Sequence, residues 1–225
     1  MRIITCEQGS PEWWEVKCGI PSASNFDRIL TPKTMKPSGQ ADDYIAELCA
    51  DLVSQGPPYF TEQEHPVNTY AMRNGIHMEP RARAWYQMQS DLEVKQVGFV
   101  LTDDCRFGCS PDGLIFADGR PVRGLELKVP LTKTHAKYLI AGIMPAEYLC
   151  QVHGGLAVAG LREWDWASYN ETLAPLCLRV TPDAFTKALK IALELFDDCY
   201  RAVRAQLGIE DRYQAQIAKL KEMPS

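Results

Sequence analysis

Cys109-Ser110-Pro111-Asp112-Gly113-Leu114-Ile115-Phe116-Ala117 and, a few residues on, Leu125-Glu126-Leu127-Lys128-Val129 are the segments from which the fold is read. In the second, Leu125, Leu127 and Val129 alternate with Glu126 and Lys128. Successive side chains of a strand point to opposite faces, so the acid and the amine share one face. Gly113 to Ala117 reads as the outgoing strand of a hairpin and Asp118-Gly119 as its turn. Register then decides the chemistry. A regular hairpin over a two-residue turn sets Asp112 opposite Leu125, on the apolar face, whereas a shift of one residue sets it opposite Glu126. Pro121 cannot donate to a ladder, which predicts an irregular hairpin and the second register. Asp112, Glu126 and Lys128 then meet in one pocket. Carboxylates there hold divalent ions, and the amine orients water or neutralises charge developing on phosphate, which suits metal-assisted phosphodiester hydrolysis. Glu-x-Lys alone is as readily the wet side of an ordinary strand; the Ser-Pro-Asp-Gly hairpin before it separates the two readings.

The 225 residues, 46% hydrophobic and 24% charged, have the composition of a soluble globular protein. We expect a single domain over residues 1–225, with its core at about 10–180 and C-terminal helices at about 181–222. The sequence shows no repeat, no apolar run long enough for a bilayer and no signal-peptide pattern at Met1-Arg2-Ile3-Ile4, so a cytoplasmic location without membrane contact is expected. Eight scattered cysteines are expected to be thiols. Cys105 and Cys109 form a close pair, but no second pair or histidine follows at finger spacing. A net charge of −5 disfavours a generic basic nucleic-acid binder. It is compatible with a nuclease that commits carboxylates to metal ions beside a local basic groove.

Ser10 and Pro11 predict a helix start, with the helix running to about Lys17. A second helix is expected from Ser22 or Ser24 to Pro32, then an exposed loop over 31–39, and a helix through Tyr44, Leu48 and Leu52 ending at Gly56-Pro57-Pro58. Val67 to Met88 reads as helical with a kink or restart at Pro80. Val94 to Leu101 reads as one strand, Thr134 to Ala141 as a helix, and Pro145 as the opening of another. Strands are expected at Trp164-Trp166 and at Leu176 to Val180. Phe185, Leu189, Leu193, Phe196, Tyr200 and Val203 form the stripe of a long helix, as core or subunit contact. Glu210 to Glu222 reads as a solvated or partner-facing helix. The order is α/β.

With these residues in place the chain resembles the Pro-Asp…(Asp/Glu)-x-Lys nucleases, and within them the phage lambda exonuclease type, the YqaJ-like viral recombinases. The likeness rests on Trp13…Lys17…Gly19…Ser22-Ala23-Ser24, Gly75…Glu79, Cys109 to Gly113, Leu125 to Pro130, and Tyr148…Gln151-Val152. It implies a restriction-endonuclease-like core, a mixed central sheet flanked by helices. It also implies 5′-to-3′ digestion of one strand of linear duplex DNA, leaving 3′ single-stranded tails. Two Mg²⁺ ions, with Mn²⁺ able to substitute, a homotrimeric ring, a single-strand annealing partner, and a phage or prophage origin in a bacterial host follow from the same resemblance. Residue by residue it assigns Asp112, Glu126, Glu79 and the Leu127 carbonyl to metal, Lys128 to the attacking water, and Lys17, Ser24 and Ser110 to the 5′-phosphate. Relatives carry arginine at Lys17, and lysine binds phosphate as a point charge without the bidentate fork. Gln151 is placed near the site, Lys133 and His135 against backbone phosphates, and Asp103 or Asp104 in the role of a supporting acid. The alternatives are an endonuclease of the same fold, specific for structure or sequence, and a DNA-end-binding recombination module with weak nuclease activity.

Overall fold

Alternating apolar residues build the strands that carry the acidic hairpin, and two layers of helix close over them. The structure, a computed structural model, describes residues 1–54, 70–90 and 92–224. Along the chain come β1 (Arg2–Ile4), α1 (Pro11–Lys17), a 3-10 helix (Ala23–Arg28), β2 (Leu30–Thr31), β3 (Lys36–Pro37) and α2 (Ala41–Ser54). Then follow α3 (Tyr70–Ser90), β4 (Glu93–Lys95), β5 (Phe99–Leu101), β6 (Gly108–Cys109), β7 (Gly113–Ala117) and β8 (Arg120–Lys128). The remainder is α4 (Thr132–Ala141), a 3-10 turn (Ala146–Tyr148), α5 (Leu149–Ala159), β9 (Trp164–Ser168), β10 (Leu176–Val180), α6 (Ala184–Gln206) and α7 (Glu210–Glu222).

A five-stranded mixed sheet has the order β10-β9-β8-β7-β4, and β1-β5-β6 form a second, three-stranded sheet. Only β8 and β9 run parallel in the larger sheet; α4 and α5 supply the long connection that parallel neighbours require. The hairpin of β7 and β8 is irregular. Asp118 (φ 51°) and Gly119 (φ 73°) make a two-residue turn with both residues left-handed. Ala117 faces Arg120 and Phe116 faces Pro121, but Ile115 faces Arg123, so Val122 is an extra residue in β8. Beyond the bulge Leu114 faces Gly124 and Gly113 faces Leu125, which carries Asp112 opposite Glu126.

Both faces of β8 are covered. Leu125 and Leu127 pack with Ala82 and Tyr86 of α3, Ile115 and Ala167. The opposite face joins the main core of α2, α5 and α6, where Trp164 and Trp166 are almost fully buried. Trp164 lies between two glycines: a Cβ at Gly124 or at Gly155 would fall 2.2 or 2.4 Å from its ring. Gly155→Ala gains about 1 kcal/mol of helix propensity. Forcing a methyl against a boxed-in indole outweighs it, and a net loss of about 1–2 kcal/mol is expected. The measurement is the urea midpoint, which should fall with an unchanged slope.

Several elements differ from the sequence expectation. The second helix is a short 3-10 segment ending at Arg28, and the expected loop over 31–39 contains the β2–β3 ladder. Helix α3 passes through Pro80 without a break; its expected start at Val67, and the Gly56-Pro57-Pro58 stop of α2, lie outside the described residues. The strand expected over 94–101 divides at Gly98, where any Cβ would lie 2.2 Å from Cys6 Sγ; the chain crosses there from the large sheet to the small one. Helix α7 is not merely solvated: Tyr213, Ile217 and Leu220 are buried, and Arg204 is held between the Tyr200 and Tyr213 rings, 4.0 and 3.6 Å from their centroids. The α6 stripe is core. All eight cysteines are free thiols, and no described helix is long and apolar enough to cross a membrane.

Candidate active site

The bulged hairpin sets the geometry of the acids. Asp112 N–H donates to the Leu125 carbonyl at 3.0 Å, and Asp112 Oδ2 accepts the Leu127 N–H at 2.6 Å. Glu126, next on β8, is 2% exposed. Lys128 Nζ donates to Glu126 Oε1 at 2.6 Å and to Gln151 Oε1 of α5 at 3.4 Å. The same ammonium lies 4.9 Å from the Tyr148 ring centroid, and that ring packs on Trp166 at 5.6 Å. A cation against an aromatic face, an acid and an amide oxygen has few ways to turn.

Helix α3 reaches the same place from the other layer. Arg83 Nε donates to the Asp112 carbonyl at 3.1 Å, and its Nη2 to Glu79 Oε1 at 2.5 Å. Deeper in the helix, Tyr86 donates to the buried Asp165 of β9, which Arg123 and Arg179 also engage. That network fixes α3 on the sheet and so sets where Glu79 stands.

Burial and its acidic neighbours Glu126 and Glu79 hold the Asp112 carboxyl well above the usual carboxylate range, with Lys128 opposing. Burial likewise pushes Glu126 up, and the Lys128 ammonium pulls it back only partly. Burial works against the charge on Lys128, but Glu126 and Asp112 outweigh it and the net push is upward. Lys128, and Arg83 through Glu79, thus stand against three crowded carboxyl groups. No group of three or more acids, histidines or cysteines is drawn tightly enough to form a ready-made metal cluster among the described residues. The donor set nonetheless fits a hard divalent cation: all its ligands are oxygens, and added positive charge relieves crowding that Lys128 and Arg83 leave uncompensated.

Of the residues expected at a 5′-phosphate, Lys17 and Ser110 meet at Trp13. Lys17 Nζ lies 3.9 Å from its ring centroid, and Trp13 Nε1 donates to Ser110 Oγ at 3.1 Å. Beside them a cavity of about 590 Å³ is lined by Trp14, Lys17, Ser22, Asn25, Glu47 and Asp51 among others. Ser24 is exposed and joined to this group through Ser22 Oγ at 3.1 Å. Burial lowers Lys17 to about 8, with Asp51 opposing, and raises Asp51 to about 6.

Other expectations are corrected. His135 is fully buried, with Nδ1 2.7 Å from Ser168 Oγ and Nε2 2.9 Å from the Ala174 carbonyl, so it is not presented to a phosphate. Asp103 pairs with the N-terminal ammonium and Asp104 with Arg106, so neither supports the acids of the hairpin. Lys133 is exposed in the first turn of α4. The sequence reading missed Arg83, whose one signal was its i,i+4 spacing from Glu79, and Asp51, which carried none.

Comparison with known proteins bears on the fold and the family. Residues 12–162 match the model of the YqaJ-like viral recombinase domain. The alkaline exonuclease LHK-Exo from Laribacter hongkongensis superposes with a TM-score of 0.73 at 25% identity, covering 91% of this chain and 100% of its own. Its complex with dAMP gives 0.72 at the same identity and coverage. A phage-related exonuclease from Haemophilus somnus 129PT shares the fold at 11% identity, with a TM-score of 0.55 over 84% of this chain and 96% of its own. No curated protein matches significantly. Together the mixed sheet and these likenesses define a DNA nuclease of the exonuclease class. The chain belongs to the YqaJ-like viral recombinase family.

Proposed function

We propose that this protein digests one strand of linear duplex DNA in the 5′-to-3′ direction, leaving 3′ single-stranded tails for strand annealing. The observation that carries the reading is the convergence of Asp112, Glu126 and Lys128 on the bulged hairpin. Asp112, Glu126, Glu79 and the Leu127 carbonyl are the groups to hold divalent ions, Mg²⁺ or in its place Mn²⁺. Such ions stabilise charge on the phosphoryl oxygens and make water nucleophilic at neutral pH.

The chain's own part is to position and to neutralise. Lys128, fixed by Glu126 and Gln151, sets an ammonium where negative charge grows on the phosphate and orients the attacking water. Glu126, in turn, is kept from swinging by that ammonium. Lys17, Ser24 and Ser110 hold the terminal 5′-phosphate, which gives the strand its direction. Glu47 and Asp51 border the cavity that Lys17 lines and repel an anion, so the preference for a 5′-phosphate over a 5′-hydroxyl is modest. Lys133, exposed in the first turn of α4, meets backbone phosphate. The dAMP in the LHK-Exo complex is a deoxynucleoside monophosphate, the kind of product that stepwise hydrolysis from an end releases. As in the family, the working form is a homotrimeric ring around the duplex, acting beside an annealing protein in a phage-infected or lysogenic bacterium.

The test uses linear duplexes with 5′-phosphate or 5′-hydroxyl ends and a covalently closed circle, each with Mg²⁺ and with chelator. Nucleotide release is expected from the linear duplexes in Mg²⁺ alone, faster from the phosphorylated ends, with the circle intact. Cutting of the circle would make the protein an endonuclease. Absence of Mg²⁺-dependent release from linear DNA would leave an end-binding module. A strict monomer in solution would remove the ring.

A further inference from the structure

We propose that Arg83 is a positioning residue of this site, fixing the Glu79 carboxylate against the Asp112 turn so that one of its oxygens is held and the other is left to a divalent cation. The inference rests on the nuclease reading above and deepens it.

An arginine four residues after a glutamate is ordinarily a solvated helix pair worth a few tenths of a kcal/mol. Arg83 is not placed that way. Its side chain is 13% exposed, and its guanidinium joins three parts of the chain. Nη2 holds Glu79 Oε1 on α3 at 2.5 Å, and Nε holds the Asp112 carbonyl before β7 at 3.1 Å. Gln96, between β4 and β5, meets the guanidinium with its amide turned oxygen-inward, 2.9 Å from Nη1 and Nη2. The planar fork is what allows one side chain to serve these directions at once. The Asp112 turn is braced from its far side as well, by Gln8 Nε2 donating to the Pro111 and Val97 carbonyls at 2.9 Å. Glu79 thus depends on Arg83 for its place relative to the hairpin acids, while its side chain keeps 36% of its surface open.

The sign of one measurement separates positioning from bare charge. If Arg83 acted only as a nearby cation, removing it would tighten divalent-ion binding. If it positions Glu79, removing it weakens binding. Supports of metal ligands typically contribute 10–100-fold, so Arg83→Met is expected to weaken Mn²⁺ binding to the DNA-free protein by about tenfold in calorimetry. Nucleotide release should fall by about 100-fold and recover in part at high Mn²⁺. Arg83→Lys keeps the pair with Glu79 but loses the fork, and should lie between Arg83→Met and wild type. In a Glu79→Gln background, Arg83→Met should cost no more than about twofold further, because the residue it acts through is already gone.

Unchanged or tighter Mn²⁺ binding by Arg83→Met, or a full additional loss in the Glu79→Gln background, would overturn the proposal. Should Arg83→Met fail to fold by thermal melting, the cycle of Arg83→Lys with Glu79→Gln decides by the same criterion. A wild-type protein that binds no Mn²⁺ and releases no nucleotide would instead refute the nuclease reading itself.

Discussion

Lys128→Ala lowers the rate of nucleotide release by about 10³-fold while leaving DNA binding nearly unchanged. Groups preorganised toward charge that appears in the transition state each contribute about 10²–10³ in turnover, and Lys128 is preorganised from three sides. Glu126 Oε1 lies 2.6 Å from its ammonium, Gln151 Oε1 3.4 Å, and the Tyr148 ring centroid 4.9 Å. Arginine does not rescue it, because a wide planar fork cannot take the seat of a compact ammonium among those partners. The substitution has a structural signature too. It leaves Glu126, 2% exposed, without its counter-ion, so the variant melts below wild type in chelator, and Mg²⁺ closes much of the gap. Single-turnover release at saturating protein is the appropriate measurement. A variant within threefold of wild type would take this lysine out of the mechanism.

Asp112→Asn abolishes activity, by about 10³-fold or more, and at the same time stabilises the metal-free protein. Burial and the neighbouring Glu126 disfavour its charge, so ionising this carboxyl costs the folded, metal-free chain stability. Asparagine is nearly isosteric, and its Oδ1 can still accept the Leu127 N–H now bonded at 2.6 Å. Removing the crowded charge without losing that bond is worth about 1–2 kcal/mol, a rise in Tm of about 2–8 °C for a chain of this size. Mg²⁺ should raise the Tm of wild type and leave the variant little changed. Opposite movements of activity and chelator-state Tm are the result to look for. A variant that lost both together would point to Asp112 as a structural residue.

The chemistry of the hairpin was legible because a strand has a period of two, and two residues of β8 fix which side chains share a face. Pro121 signalled that the ladder is irregular, but not that Val122 is the residue set aside. The rest was hidden for a common reason: its meaning lies in contacts between distant segments. Arg83 is an ordinary helix arginine until folding brings the Asp112 carbonyl to it. Likewise His135, two residues after a lysine, looks like a phosphate contact until Ser168 and Ala174 close on its ring. The break at Gly98 follows from Cys6 passing within contact distance, 92 residues away in sequence. Helix α7 showed its buried Tyr213, Ile217 and Leu220 at 4- and 3-residue spacing, but among so many charges a three-residue stripe carried little weight.

The extra residue at Val122 has an implication for how this lineage can change. At its present length the hairpin keeps the aspartate beside the glutamate only while one residue of the returning segment is set aside. Loss of that one residue would leave a regular ladder with the same two acids opposed, whereas one codon more, absorbed without a second bulge, would move the glutamate out of register. In descendants of this chain, a hairpin shortened by one residue near the turn should therefore still belong to a working enzyme, and one lengthened by a single residue should not.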